Sequence, residues 1–510
     1  MKGTWRVLRV ILRTSILTVL IVAIVLSVIT AVTAASINRL YPDEATRLAY
    51  ETIVNRSPTT VLFQGRGYDV DQQGGILTQQ MAILTLTLFP VLLAWVGVRF
   101  TRRMEDEGYF DILSAGTVSR LAPVSAGMFA SLITALIAGA GCLIAMVALD
   151  FEVAGSAWYV LLLVLLMMAA ATLGTLTAQL FRHRREAFYA SSGIILALYL
   201  VRGWIDVQNY DATWTNPASW LAEARPFADQ PVAWPYLAYV GLALVLGLAT
   251  FWFASRRDLG GGVFSPAPGR EQASPLLSNA GALIARLTFR TSLAIAIGGA
   301  VVTFVFGLFA EQTASDGHLD ARLVLIIQLN ALFAGAAAIA SATTLSSEER
   351  AGRTGRVLSE PVSRYAWLLW GAFISLLWGL LVLVLTGAAT GLGLSLSLDD
   401  WSHVGSSLTD ALAYYPAIAF MACLALLLGA LHPRLAVISW LPLAWAVVVT
   451  LRGDMLELSD TARHFSPLQW MNNVPLEAWD STAALGMSGV ALLLLLLGLI
   501  LFRRRNLVAG

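Results

Sequence analysis

Apolar runs that read as membrane-crossing helices, for which roughly 30 Å of hydrocarbon calls for about 20 residues, recur about a dozen times along this chain. They centre on about 15–36, 80–98, 123–149, 158–180, 187–201 and 236–254, then on about 291–310, 323–345, 365–396, 411–431, 435–449 and 483–502. Composition agrees: the 510 residues are 57% hydrophobic and only 13% charged, where soluble domains carry about a quarter. The mean hydropathy is +0.72. The expected fold class is an all-α polytopic membrane protein. A net charge of +1 gives no overall basic character that would suggest nucleic acid. The two cysteines, Cys142 and Cys423, fall inside different apolar runs and read as small hydrophobes, not as a disulfide or a metal pair. Lys2 is the only lysine, so no lysine is available for a phosphate-binding Walker A loop, and ATP hydrolysis by this chain itself is not expected.

One polar segment occurs twice. Glu105–Leu132 and Glu349–Leu376 share ten of 28 positions at a constant offset of 244, against about two by chance. The identities include Glu105/Glu349, Gly108/Gly352, Val118/Val362, Ser119/Ser363 and Arg120/Arg364. Each copy holds a carboxylate one helical turn before a glycine, then Val-Ser-Arg leading into the next apolar run. Pro361 fixes the turn in the second copy, where the first has Thr117 and, earlier, the additional acid Asp106. A short amphipathic helix of this kind suits a groove on a cytosolic partner.

Two weaker echoes extend the repeat. Arg9, Arg13, Thr14 and Ser15 match Arg286, Arg290, Thr291 and Ser292 at an offset of 277; Arg202-Gly203, Pro217 and Trp220 match Arg452-Gly453, Pro467 and Trp470 at 250. Loops absorb such differences in offset. Trp5–Thr14, with Arg6, Arg9 and Arg13 among apolar residues, reads as an amphipathic helix on the membrane surface. The expected domains are 1–257, a linker 258–281 rich in Gly, Ser and Pro, and 282–510. Arginines cluster at both chain ends and in the loops after even-numbered runs, which by the positive-inside rule puts both termini and both polar copies in the cytoplasm. The two six-helix halves are then parallel repeats.

Glu348-Glu349-Arg350-Ala351-Gly352, followed by Leu358-Ser359-Glu360-Pro361-Val362-Ser363-Arg364, resembles the cytosolic coupling segment of ABC-type exporter permeases. The duplicated single-chain form is similar to actinobacterial permeases for polyketide antibiotics of the tetronasin type. The resemblance implies two six-span transmembrane domains, each with an elbow helix (Arg9, Arg13; Arg286, Arg290) and a coupling helix. It also implies a bacterial cell membrane location and two copies of a separately encoded ABC ATPase that bind Mg-ATP. No cofactor, metal or catalytic residue is expected in this chain. The coupling residues are Glu105, Asp106, Gly108, Val118, Ser119 and Arg120 in the first copy. In the second they are Glu348, Glu349, Gly352, Pro361, Val362, Ser363 and Arg364. Glu105 and Glu349 are the candidates for charge contact with the ATPase, and Arg120 and Arg364 for holding the segment at the lipid headgroups.

An ion-coupled secondary transporter with two six-span halves is the alternative. Such machines commonly place an ionisable group near the membrane midplane. The central parts of the apolar runs hold no Asp, Glu, Lys, Arg or His. A membrane enzyme is no better supported, because the five histidines are scattered over loops without HExxH spacing. The uncharged runs favour an apolar or amphipathic cargo, alongside membrane lipid.

Overall fold

A computed structural model describes residues 3–56, 58–106, 119–257, 261–264, 277, 279–308, 319–453 and 458–507. Among these there is no strand, only an isolated bridge between Phe181 and Phe264. Eleven described helices are long and apolar enough to cross a membrane, and the chain is a multi-pass membrane protein. Six lie in residues 4–256 and five in residues 280–504. At the place of the expected eleventh span stands the shorter apolar stretch Leu435–Leu451. It is a 3-10 turn, Leu435–Ser439, running into the helix Trp440–Arg452. Its 17 residues would reach only about 26 Å as a helix, less than the hydrocarbon thickness.

The chain divides into two compact units, Met1–Gly269 and Arg270–Gly510. In the first, the helix Thr4–Leu40 packs along Ala122–Val147, and Val153–Leu180 lies buried against both Leu88–Asp106 and Trp234–Arg256. Two glycines set one of these approaches. A Cβ at Gly97 would run into the Ala171 carbonyl and one at Gly174 into the Ala94 carbonyl, so only glycine lets the two backbones come this close. In the second unit, Ala280–Leu308 packs along Arg364–Leu398 through Gly307 and Gly393 in the same way, while Tyr415–Leu431 packs on Ser481–Arg504. The second core gathers Trp367, Tyr414, Ile418 and Met421, all essentially inaccessible.

Trp5–Thr14 is not a separate surface helix. It continues without a break into the first span as Thr4–Leu40, 37 residues, and Arg286 and Arg290 likewise sit inside the unbroken helix Ala280–Leu308. No glycine or proline falls between residues 4 and 40 to break the helix, and the Thr14 hydroxyl donates back to the Val10 carbonyl at 2.9 Å. Arg9, Arg13, Arg286 and Arg290 are exposed along these helices. The second span does break, between Gln73–Leu86 and Leu88–Asp106. Pro90 lacks the N–H that would bond the Leu86 carbonyl.

At the ends of the first unit's spans opposite the arginine clusters, the helices Glu44–Val54 and Pro58–Gln64 fold over the bundle. Buried Arg202 ties down Pro58–Gln64, donating to the Leu62 and Phe63 carbonyls at 2.7 and 3.1 Å. Trp220 and Trp470 make matching local bonds: each indole N–H donates to the carbonyl six residues earlier, Trp214 at 2.9 Å and His464 at 2.8 Å.

Candidate functional site

Each unit carries an ion-pair clasp at the arginine-rich ends of its spans, and the repeated polar segment supplies part of both. In the first unit the clasp begins with the last helix, Trp234–Arg256, which ends on Arg257 in extended conformation. The Arg257 guanidinium turns back to the Glu105 carboxylate, with Nη1 donating to Oε2 at 3.0 Å and Nη2 to Oε1. Arg102, one turn before Glu105, donates to the same carboxylate at 2.5 Å and to the Phe181 and Gly261 carbonyls at 2.5 and 2.7 Å. Gln179, near the end of Val153–Leu180, accepts from Arg257 Nε at 2.8 Å. Arg120 donates to the Arg257 carbonyl. The Arg102, Glu105 and Arg257 side chains are 1%, 9% and 5% exposed.

In the second unit the last helix, Ser481–Arg504, ends on Arg505, again extended. Arg505 grips Glu349 through two parallel bonds, Nη1 to Oε1 at 2.6 Å and Nη2 to Oε2 at 2.5 Å. It also reaches the Gly429 carbonyl at 3.2 Å, near the end of Tyr415–Leu431. Arg364 donates to the Arg505 and Arg503 carbonyls at 2.7 and 3.0 Å. The logic is that of a helix C-terminus: its last carbonyls lack intrahelical partners and carry partial negative charge, and an arginine from the repeated segment meets them.

Glu105 and Glu349 are therefore bound internally, with Glu349 only 3% exposed, and do not present bare carboxylates at the surface. Arg120 and Arg364 hold a helix end. Glu348 pairs with exposed Arg353 through two bonds of 2.6 Å. Gly352 takes φ 70°, the left-handed conformation that suits glycine, and starts the short helix Arg353–Leu358. Pro361 is exposed and Val362 packs on the core. Ser363 caps the next helix by accepting from the Ala366 N–H at 3.0 Å. Ser119 does not repeat that cap; its hydroxyl is buried without a hydrogen-bond partner. The Asp106 side chain, Gly108 and Val118 lie outside the described residues, as does most of the first copy's expected coupling helix, 107–118.

The sequence singled out Glu105 and Glu349 but not their partners. Arg257 and Arg505 read only as topology-setting basic residues. One signal was available: each is the last arginine after the final apolar run of its half, and their offset of 248 falls between the two offsets of 244 and 250. Among the described residues no group of His, Cys, Asp and Glu could hold a metal ion.

Residues 277–503 match the family described as "Multidrug efflux system permease Rv1217c, C-terminal domain". The chain is also similar, with 24% identity over 494 residues, to the multidrug efflux system permease protein Rv1217c of Mycobacterium tuberculosis (strain ATCC 25618 / H37Rv). That alignment covers 92% of this chain and 89% of the relative.

Proposed function

We propose that this chain is the permease of an ATP-driven exporter that moves an apolar or amphipathic compound out of the cytoplasm. Two copies of a separately encoded ABC ATPase seat on it, one at Glu105–Arg120 and one at Glu349–Arg364, and Mg-ATP binds to them. The two halves are parallel repeats with the clasps on the cytoplasmic side. The multidrug efflux relative, the duplicated segment and the uncharged spans all favour this reading.

The observation that carries it is the clasp found twice. In each unit a carboxylate at the head of the repeated segment and an arginine at its tail both engage the end of the last helix. A push on the segment would pull on that helix and on the end of the fourth span, through Gln179 in the first unit and the Gly429 carbonyl in the second. The charge contact with the ATPase then falls to groups left outside the clasp. In the second copy these are Arg353, Arg356 and Glu360, exposed around Pro361. The test is affinity purification of the full tagged chain from native membranes with quantitative mass spectrometry. An ABC ATPase at two copies per chain, reduced by Arg353→Glu with Arg356→Glu, is the expected result. A chain that carries efflux activity with no ATPase attached would refute the reading.

A further inference from the structure

The helices Ala122–Val147, Val153–Leu180 and Trp234–Arg256 leave between them a crevice of about 360 Å³, within the range of small-molecule pockets. Its wall is Met128, Phe129, Leu132, Met168 and Phe251, and none of its lining residues is ionisable. Its three hydroxyls are already committed. Ser125 donates to the Leu121 carbonyl at 2.8 Å, Ser131 to Gly127 at 2.9 Å and Thr172 to Met168 at 2.8 Å, so toward the crevice they offer only lone pairs. At about 1.5 Å per residue, Phe251 lies about 9 Å from Arg257 and Thr172 about 12 Å from Leu180. The crevice thus occupies the half of the spans nearest the clasp.

Two differences in side chains separate this part of the first unit from the matching part of the second. Gly247 stands opposite it, and a Cβ there would meet Met128 Cε at 3.4 Å and Thr172 Cγ2 at 3.9 Å. Ten residues before the matching C-terminal arginine of the second unit, the corresponding position is Leu495, packed against the core. The position equivalent to half-buried Met128 is Ala372, a smaller side chain that is 2% exposed.

We infer that this crevice is a binding site for a small uncharged apolar molecule, or for the apolar body of an amphipathic one. A charged end would point toward the arginine-rich ends of the spans. Two methionines and two phenylalanines give a wall that adapts to differently shaped scaffolds. An acid or phosphate finds no donor there. The inference rests on the exporter reading and adds to it a place: a cargo site in the first unit.

The test is photolabelling of the full chain in lipid nanodiscs with benzophenone, without ATP or any partner, so that it can fail while ATPase docking stands, and the reverse. Adducts should form on the peptides bearing Met128 and Met168, saturate with dose and be competed by diphenylmethane. Gly247→Leu should cut them at least tenfold. Gly247→Ala, whose methyl makes only ordinary contact with Met128, should keep the fold and cut them about twofold. Non-saturating labels spread along exposed faces such as Leu17 and Leu493, or labelling unchanged in both variants, would overturn the site. So would competition by added phospholipid with none by diphenylmethane, which would make it a lipid groove.

Discussion

The two clasps use the same residue types at matching places but differ in how Arg102, Arg257 and Arg505 meet the carboxylates: Glu105 is shared between two of them in the first, and Glu349 takes a fork from Arg505 in the second. In the first unit Glu105 lies between two arginines, Arg102 and Arg257, and the Gly261 carbonyl bonds to both. In the second, Ser346 stands where Arg102 would be, and Arg505 grips Glu349 with a bidentate fork. Beyond the clasp, the second copy has a glycine-started helix and a serine cap, while Ser119 in the first forms no such cap. Loss of Arg257 leaves Glu105 its Arg102 partner, whereas loss of Arg505 removes a two-bond fork from Glu349.

The largest expected effect would break that contrast. Arg505→Ala leaves a buried carboxylate without its fork and should cost about 3–5 kcal/mol, whereas Arg257→Ala, with Arg102 still in place, should cost about half as much. Thermal unfolding of the purified chain checks this, and equal losses would erase the distinction. Exchanging the charges, Glu349→Arg with Arg505→Glu, should recover at least half of the coupling of ATP hydrolysis to substrate that either single change removes. Hydrolysis by the reconstituted complex reads it out, and no recovery would show that the pair does more than hold the segment. Gly352→Ala should cost about 1–2 kcal/mol, because a Cβ strains the left-handed conformation. The smallest contrast is between the serines: Ser363→Ala should lose about 1 kcal/mol with its cap, while Ser119→Ala should change stability by well under that.

Much of the fold was legible because lipid permits few choices: long apolar runs separated by arginines specify where helices begin and end. The repeated segment was legible because its identities sit at one offset. Arg257 and Arg505 were not, since pairing residues about 150 positions apart depends on how the last helix packs, which no local pattern encodes. The elbow was misread because amphipathic arginines at Arg6, Arg9 and Arg13 fit a surface helix and the start of a long span equally well. Only the absence of a breaker decides between them. The short stretch Leu435–Leu451 is apolar enough to read as a full span, and its shortfall is one of length. The crevice was invisible because its lining comes from three helices far apart in the chain, Ala122–Val147, Val153–Leu180 and Trp234–Arg256, which only packing brings together.

The most direct measurement is a single-particle map of the full chain purified from native membranes with the ATPase proposed for it. The account predicts two ATPase subunits, one over residues 105–120 and one over 349–364, each against a segment still clasped to Arg257 or Arg505. A particle with both segments bare, or with the motor subunits bound elsewhere on the chain, would contradict it.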